Sequence, residues 1–196
     1  MSRGTIITLA VVGVIVLWGI SAYNGLNSKN QEVEQKWGNV ESQYQRRSDL
    51  IPNLAKTVKS YANFEQETLT QVIEARSKAT QVTINPGELT AENMAKFQEA
   101  QGQLGGALSR LMAVIERYPD LKANQNYLDF QTELSGTENR INYARDQYNE
   151  SVKVFNTRAL RFPTVLVAKV LGFDAKPYYE ADKGAENAPD VGDILD

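Results

Sequence analysis

Residues 4–22 form an uninterrupted apolar stretch without a single charged side chain, GTIITLAVVGVIVLWGISA. As an α-helix this stretch would be about 28 Å long, close to the roughly 30 Å thickness of a bilayer's hydrocarbon core. Trp18 and Tyr23 lie near its end, where amphipathic aromatic side chains favour the membrane interface. The sequence therefore predicts one transmembrane helix through 4–22 and a single-pass membrane protein.

A cleaved signal peptide is the alternative interpretation of this segment. Arg3 gives it a basic start, and small residues occur at 19–22, near a position where a peptidase could cut. The apolar stretch is long for a signal peptide and has no clean Ala-x-Ala site, so a retained anchor over 1–25 is favoured. Lys29 and Lys36 follow the anchor at short range, and the positive-inside rule gives no firm orientation.

The composition excludes several kinds of chemistry. The 196 residues include no cysteine and no histidine, which removes disulfides, thiol catalysis, and the commonest general base and zinc ligand. The net charge of −3 provides no basic field that would attract nucleic acid. We therefore predict no cofactor, no metal and no nucleic-acid partner.

Beyond the anchor, apolar residues recur at alternating spacings of four and three, which is typical of helices packed at a shallow angle. These seams cover 33–61, 69–79, 94–118 and 131–162. Pro52 lies inside the first seam, so a kink or break is expected near 49–52. The predicted fold class is all-α: the transmembrane helix, then an antiparallel bundle of three to four long helices over 26–178. An acidic tail, 179–196, is expected to be disordered.

Three charged residues occupy seam positions: Arg47, Glu138 and Arg145. A bundle interior penalises an unpaired charge, so each is expected to meet a partner from another helix, with Arg47 the nearest candidate for Glu138. The favoured interpretation is an ion network that fixes helix register. The alternatives are a ligand site, in which Arg47 and Arg145 bind an anion, and a hydrolase that uses Glu138.

Two further features carry structural expectations. The glycines of the third seam, Gly102, Gly105 and Gly106, would allow a close approach between helices. A short apolar segment follows the fourth helix, and it could cap the bundle or contact a partner or the membrane surface. Its apolar residues are Val165, Leu166, Val170, Leu171 and Phe173.

Motifs distributed over almost the whole chain resemble those of the LemA family of bacterial membrane proteins. They are Tyr23-Asn24, Trp37, QRRSDLIPNLAKTVKSYA at 45–62, LMAVIERYPDLKAN at 111–124, TENRINYARDQYN at 137–149, FN at 155–156, FP at 162–163 and GF at 172–173. One departure is Phe64-Glu65, where the family usually shows His-Glu, so no histidine function is carried over.

The resemblance implies an N-terminal transmembrane helix in the inner membrane, with the N-terminus outside and the bundle cytoplasmic. It implies no established biochemical activity. Members are often encoded near TPM-domain proteins and membrane metalloproteases, which makes such proteins candidate partners. From the seams, the anchor and the absence of cysteine and histidine, we predict a membrane-anchored, non-enzymatic scaffold or adaptor of the bacterial envelope that self-associates into a homo-oligomer. The alternatives are an anion- or signal-sensing bundle and a carboxylate-dependent hydrolase.

Overall fold

The computed structural model describes residues 1–61 and 64–180. Over these residues the chain is helical and contains no β-strand, which confirms the predicted all-α class. The helices are α1 (Arg3–Lys59), α2 (Gln66–Gln81), α3 (Ala91–Ile115), α4 (Pro119–Lys122), α5 (Gln125–Leu160) and α6 (Thr164–Leu171), with a 3-10 turn at Pro86–Glu88. Most of the predicted acidic tail, from 181 onward, lies outside the described residues.

α1 is one uninterrupted helix of 57 residues that contains both the apolar span and the first helix of the bundle. Of the kink or break predicted near 49–52, the break is wrong, because α1 continues through Pro52 to Lys59. Pro52 itself is exposed, while Ile51 and Leu54 are buried beside it. Burial of these neighbours in the core holds the helical backbone where its local propensity is poor.

The bundle is built around the antiparallel pair of α1 and α5, with α2 and α3 packed as a second helical pair. Its core consists of two clusters of buried side chains. One surrounds Trp37, whose ring lies 5.0 Å from that of Phe97 and 5.4 Å from that of Tyr148. The other surrounds Leu104 and Ile51 farther from the span. This second cluster consists mainly of aliphatic side chains.

The buried face of α5 differs from its predicted seam. Gln131 is exposed, Glu138 is half-buried, and Thr137 is fully buried instead, while Phe162 lies beyond the end of α5 and is exposed. The buried positions of α5 keep the alternation of three and four, but Thr137 takes the place of the predicted Glu138 on the packed face. The physical reason is that a threonine whose hydroxyl is hydrogen-bonded can be buried at a lower cost than a carboxylate, which stays at the edge of that face. In α1 the predicted members from Val33 to Val58 are all buried.

The chain turns after α5, forms α6, and returns along the bundle as the extended segment 173–180. Asn156 exchanges two hydrogen bonds with the backbone of Lys176, at 2.8 and 2.9 Å. Asn149 makes the same pair of bonds with the backbone of Tyr179. Tyr179, which the sequence placed in the tail, is consequently 5% exposed and belongs to the packed bundle.

Candidate functional site: a polar cleft and an exposed apolar end

Arg47 is the centre of a polar cluster that joins three helices. Its side chain is 4% exposed on α1 and donates from Nη1 to Oε1 of Glu138 on α5, at 3.1 Å. Its Nη2 donates to the side-chain and backbone oxygens of Gln101 on α3, at 2.8 and 3.0 Å. The pairing of Arg47 with Glu138, predicted from the seams, is therefore present in the structure.

Gln101 is the member of this cluster that the sequence did not single out. It is 5% exposed, and its Nε2 donates to the backbone oxygen of Ala79 at 3.3 Å. A signal was available, because Gln101 is a polar residue between Phe97 and Leu104 in an apolar seam. A buried amide at such a position needs partners, and Arg47 is the main one.

Arg145 contacts two tyrosines, Tyr44 on α1 and Tyr179 in the segment after α6. Its Nε donates to Oη of Tyr44 at 2.8 Å, and its guanidinium lies 4.3 Å from the ring centroid of Tyr179. The hydroxyls of Tyr44 and Tyr179 are 2.6 Å apart. The guanidinium of Arg47 also lies over the ring of Tyr44, at 4.8 Å. Tyr44 thus connects the two arginines.

A cleft of about 960 Å³ opens beside this cluster and is bordered by Arg47, Glu138, Arg145 and Glu180. The glycines of α3 line its opposite wall. A Cβ added to Gly102 or to Gly106 would meet no atom within 4 Å, and one added to Gly105 would meet Nη1 of Arg47 at 3.8 Å. The predicted close approach of helices is therefore wrong at Gly102 and Gly106, and at Gly105 the neighbour is the end of a long side chain. The missing side chains leave open space, and this space forms part of the cleft.

The cleft contains buried hydrogen-bond donors that lack an acceptor. Nε of Arg47 and Nε2 of Gln98 are buried and contact no acceptor within the described part of the chain. Such donors are costly unless water or a ligand accepts from them. The two guanidinium groups at the cleft, from Arg47 and Arg145, face two carboxylates, from Glu138 and Glu180. Over residues 1–61 and 64–180, no group of His, Cys, Asp or Glu side chains could hold a metal ion.

The apolar segment after α5 is only partly covered. Phe173 packs between the rings of Tyr23 and Phe155, at 5.9 and 6.4 Å, and Val165 is half-buried. Ala168 is the buried residue of α6. The remaining predicted contact residues face outward, with exposed fractions of 56% for Leu166, 83% for Val170 and 50% for Leu171.

The sequence model of the LemA family matches residues 36–192, which is most of the chain. The chain belongs to the LemA family. Among curated relatives of this LemA-family chain is magnetosome protein MamQ 2 of Paramagnetospirillum magneticum, which is 26% identical over 96% of this chain and 77% of its own length. Protein LemA of Metamycoplasma hominis is 26% identical over 83% of this chain and 71% of its own length.

Magnetosome protein MamQ of Magnetospirillum gryphiswaldense is a further relative, 25% identical over 96% of this chain. None of these three names states an enzymatic activity. The similarity includes the N-terminal region, where α1 is long and apolar enough to cross a membrane. Within that span almost every side chain is exposed, as expected for a lipid-facing helix and not for a core helix. This LemA-family chain is thus a membrane protein.

Proposed function

We propose that this LemA-family chain is a non-enzymatic scaffold or adaptor, held rigidly at the inner membrane by a retained anchor. The observation that carries the proposal is the continuity of α1, which passes from the exposed span into the bundle core within one helix of 57 residues. Contacts with the bundle begin directly after the span, since the ring of Tyr23 packs against that of Phe173 and Leu26 is fully buried. A scaffold needs a defined orientation to the membrane, which such a helix provides.

The proposed topology has the N-terminus outside and the bundle in the cytoplasm. The charges near the bundle end of the span support it. Lys29 lies close in sequence, and α6 brings Lys169 to the same end, while Arg3 is the basic side chain that precedes the span. Cytoplasmic segments next to a transmembrane helix carry an excess of lysine and arginine.

The proposal includes self-association into a homo-oligomer, and contacts with membrane proteins such as TPM-domain proteins or membrane proteases. The experiment is to purify the full chain in mild detergent and measure the protein mass in the micelle by light scattering. We expect a mass that is a multiple of 21.9 kDa, or a stable complex with a membrane protein. Repeating the measurement at a higher detergent-to-protein ratio controls for accidental sharing of micelles. A strict monomer with no co-purifying protein contradicts the proposal.

A second candidate function is ligand sensing in the cleft, and the unsatisfied donors Arg47 Nε and Gln98 Nε2 favour it. The balance of two guanidiniums and two carboxylates suits a small polar ligand that accepts hydrogen bonds, either an anion or a zwitterion. Suitable probes are inorganic phosphate, citrate and glutamine. The readout is the midpoint of thermal unfolding of the full chain in detergent.

A variant that fills the cleft makes this test specific. In Gly102→Leu the new Cβ would meet no atom within 4 Å, and Gly102 lines the cleft, so we expect the fold to be retained while the cleft volume falls. We expect any ligand-induced shift to disappear in this variant. The matched control is Arg46→Gln, because Arg46 pairs with Glu133 at 3.2 Å and does not line the cleft. No shift with any probe contradicts ligand sensing.

The hydrolase hypothesis rests on Glu138 alone. Its carboxylate is engaged by the guanidinium of Arg47 at 3.1 Å. Glu138→Gln preserves the shape of the side chain, so an activity that survives this substitution would remove Glu138 as its catalyst. The structure offers no observation that favours this function over the scaffold.

A further inference from the structure

α6 lies at the end of the bundle where α1 enters the span. α6 packs on both α1 and α5. Phe173, directly after α6, contacts Tyr23, which directly follows the apolar stretch at 4–22. The guanidinium of Arg158 lies against Gly25 on the same turn of α1. The end of α5 and the whole of α6 are therefore next to the position where α1 leaves the bilayer.

This end of the molecule exposes large apolar side chains. Val170 and Leu166 are 83% and 56% exposed, four residues apart on one side of α6. Leu160, the last residue of α5, is 63% exposed, and Phe162, in the turn before α6, is 75% exposed. Soluble surfaces rarely group so many exposed apolar residues. Because α6 borders the span, this apolar surface continues the lipid-facing surface of α1.

Basic side chains outnumber acidic ones at this end. Residues 151–173 include four basic side chains and no acidic one, and residues 1–31 contain no acidic side chain either. Asp174, which directly follows Phe173, is the first carboxylate after α6. The whole chain nevertheless has a net charge of −3, so the membrane end is enriched in basic residues relative to the rest. Arg158, Arg161 and Lys169 are exposed and form no ion pair over the described parts of the chain. They can therefore contact external anions.

We propose that α6 and the preceding Leu160 and Phe162 form a second membrane contact. The apolar side chains enter the headgroup region of the leaflet from which α1 emerges, and the three basic side chains bind its anionic phosphates. This combination of an apolar face and basic residues is characteristic of helices that lie in the interface plane. The lipid is favoured over a protein partner, because the surface is continuous with the anchor and its charge is complementary to an anionic leaflet.

A second contact has a mechanical consequence. One transmembrane helix allows the bundle to rotate about the axis of α1. Contact through α6, beside that axis, fixes the rotation and presents the same bundle face to the membrane in every copy. The inference requires only that the anchor be inserted, so it stands or fails independently of the scaffold function.

The test measures the depth of single labelled positions in lipid nanodiscs that contain one copy of the full chain. The chain has no cysteine, so Val170→Cys provides a unique site for an environment-sensitive fluorophore. The matched control is Tyr143→Cys, since Tyr143 is 68% exposed and lies roughly 22 Å farther along α5 than Arg158. In discs with phosphatidylglycerol, we expect lipid-attached nitroxide to quench the label at 170 and aqueous iodide to quench the label at 143.

Each nanodisc contains one copy of the chain and no other protein than the scaffold protein at the rim of the disc, so a cellular partner or a second copy cannot bury the label. If iodide quenches the labels at 170 and 143 equally, the membrane contact is overturned. If the label at 170 is buried equally in phosphatidylglycerol and in pure phosphatidylcholine, the proposed recognition of anionic lipid is overturned.

The basic residues provide the second part of the test. In the Val170→Cys background, Arg161→Gln or Lys169→Gln should each reduce the ratio of membrane-bound to free α6 about fivefold in anionic discs. The control is Lys78→Gln, because Lys78 is an exposed lysine on α2, away from α6. Equal effects of Lys169→Gln and Lys78→Gln would show a general charge effect and would contradict a specific contact.

Discussion

At the scale of single residues, Arg47 has a larger structural role than the carboxylate with which it pairs. Its side chain is 4% exposed, whereas that of Glu138 is 43% exposed. Removal of Arg47 would leave the oxygens of Gln101 buried without their donor. Removal of the Glu138 charge would leave Arg47 with its hydrogen bonds to Gln101. The two ends of this ion pair are therefore not equivalent.

We predict that Arg47→Met lowers the free energy of unfolding by about 2 kcal/mol, because it leaves buried acceptors unsatisfied. Glu138→Gln should cost less than about 1 kcal/mol, because its carboxylate is largely accessible to water. Denaturant unfolding of the full chain in detergent measures both values. Arg46→Met is the matched control, since Arg46 is 54% exposed. A larger loss for Glu138→Gln than for Arg47→Met would contradict this assignment.

Glu41 gives the fold a predictable pH dependence. Its carboxylate accepts a hydrogen bond from the backbone N–H of Ile84 at 3.2 Å. Burial nevertheless raises its pKa above the ordinary 4.5. Because the folded state binds this proton more tightly than the unfolded state, the contribution of Glu41 to stability falls as the pH rises through the raised pKa.

We therefore expect Glu41→Gln to raise the melting temperature at pH 7, since the amide oxygen can still accept from Ile84 without a buried charge. The difference from the unchanged chain should shrink as the pH falls toward 4.5. Thermal melts in detergent across this range provide the measurement. Glu99→Gln, at an exposed position on α3, is the control. A variant that is less stable at pH 7 would show that the charge itself is needed.

At the scale of elements, the glycines of α3 are the clearest departure from expectation. A glycine in a helix costs roughly 1 kcal/mol relative to alanine, and this cost is usually offset by close packing. At Gly106, a Cβ would meet nothing within 4 Å. Close packing therefore does not explain why a glycine occupies this position. A side chain here would instead alter the cleft that the glycine lines.

We predict that Gly106→Ala raises the free energy of unfolding by up to about 1 kcal/mol, because alanine restricts the unfolded chain and favours the helix. Denaturant unfolding in detergent measures the change. Gly172→Ala is the opposite control, because Gly172 ends α6 with a φ of +72°, where a Cβ is strained. A destabilised Gly106→Ala would mean that this wall of α3 contacts something outside the described residues.

At the scale of the whole molecule, basic residues are enriched at the end of the bundle where α1 enters the span. The sequence around the span contains few basic residues, and by itself it leaves the orientation open. The fold changes this, since α5 and α6 bring Arg158, Arg161 and Lys169 to the end where α1 enters the span. The charge distribution that bears on the orientation in the membrane therefore depends on the tertiary structure.

We predict that the N-terminus lies outside and the bundle lies in the cytoplasm. Because the chain has no cysteine, Ser2→Cys and Tyr143→Cys each give one labelling site. A membrane-impermeant maleimide should modify position 2 in intact spheroplasts, and position 143 only after permeabilisation. The control is the unchanged chain, which should not react. The reverse pattern would place the bundle outside.

The sequence by itself determined the span, the all-α class and the pairing of Arg47 with Glu138. These features depend on local periodicity and on the cost of unpaired charge, which can be read within a few turns of helix. Only the tertiary structure decided that Pro52 does not end α1, that Tyr179 is buried, and that α6 lies beside Tyr23. These three outcomes depend on contacts between residues that are far apart in the chain. The packing of such residues against each other overrides the local conformational preference of the sequence.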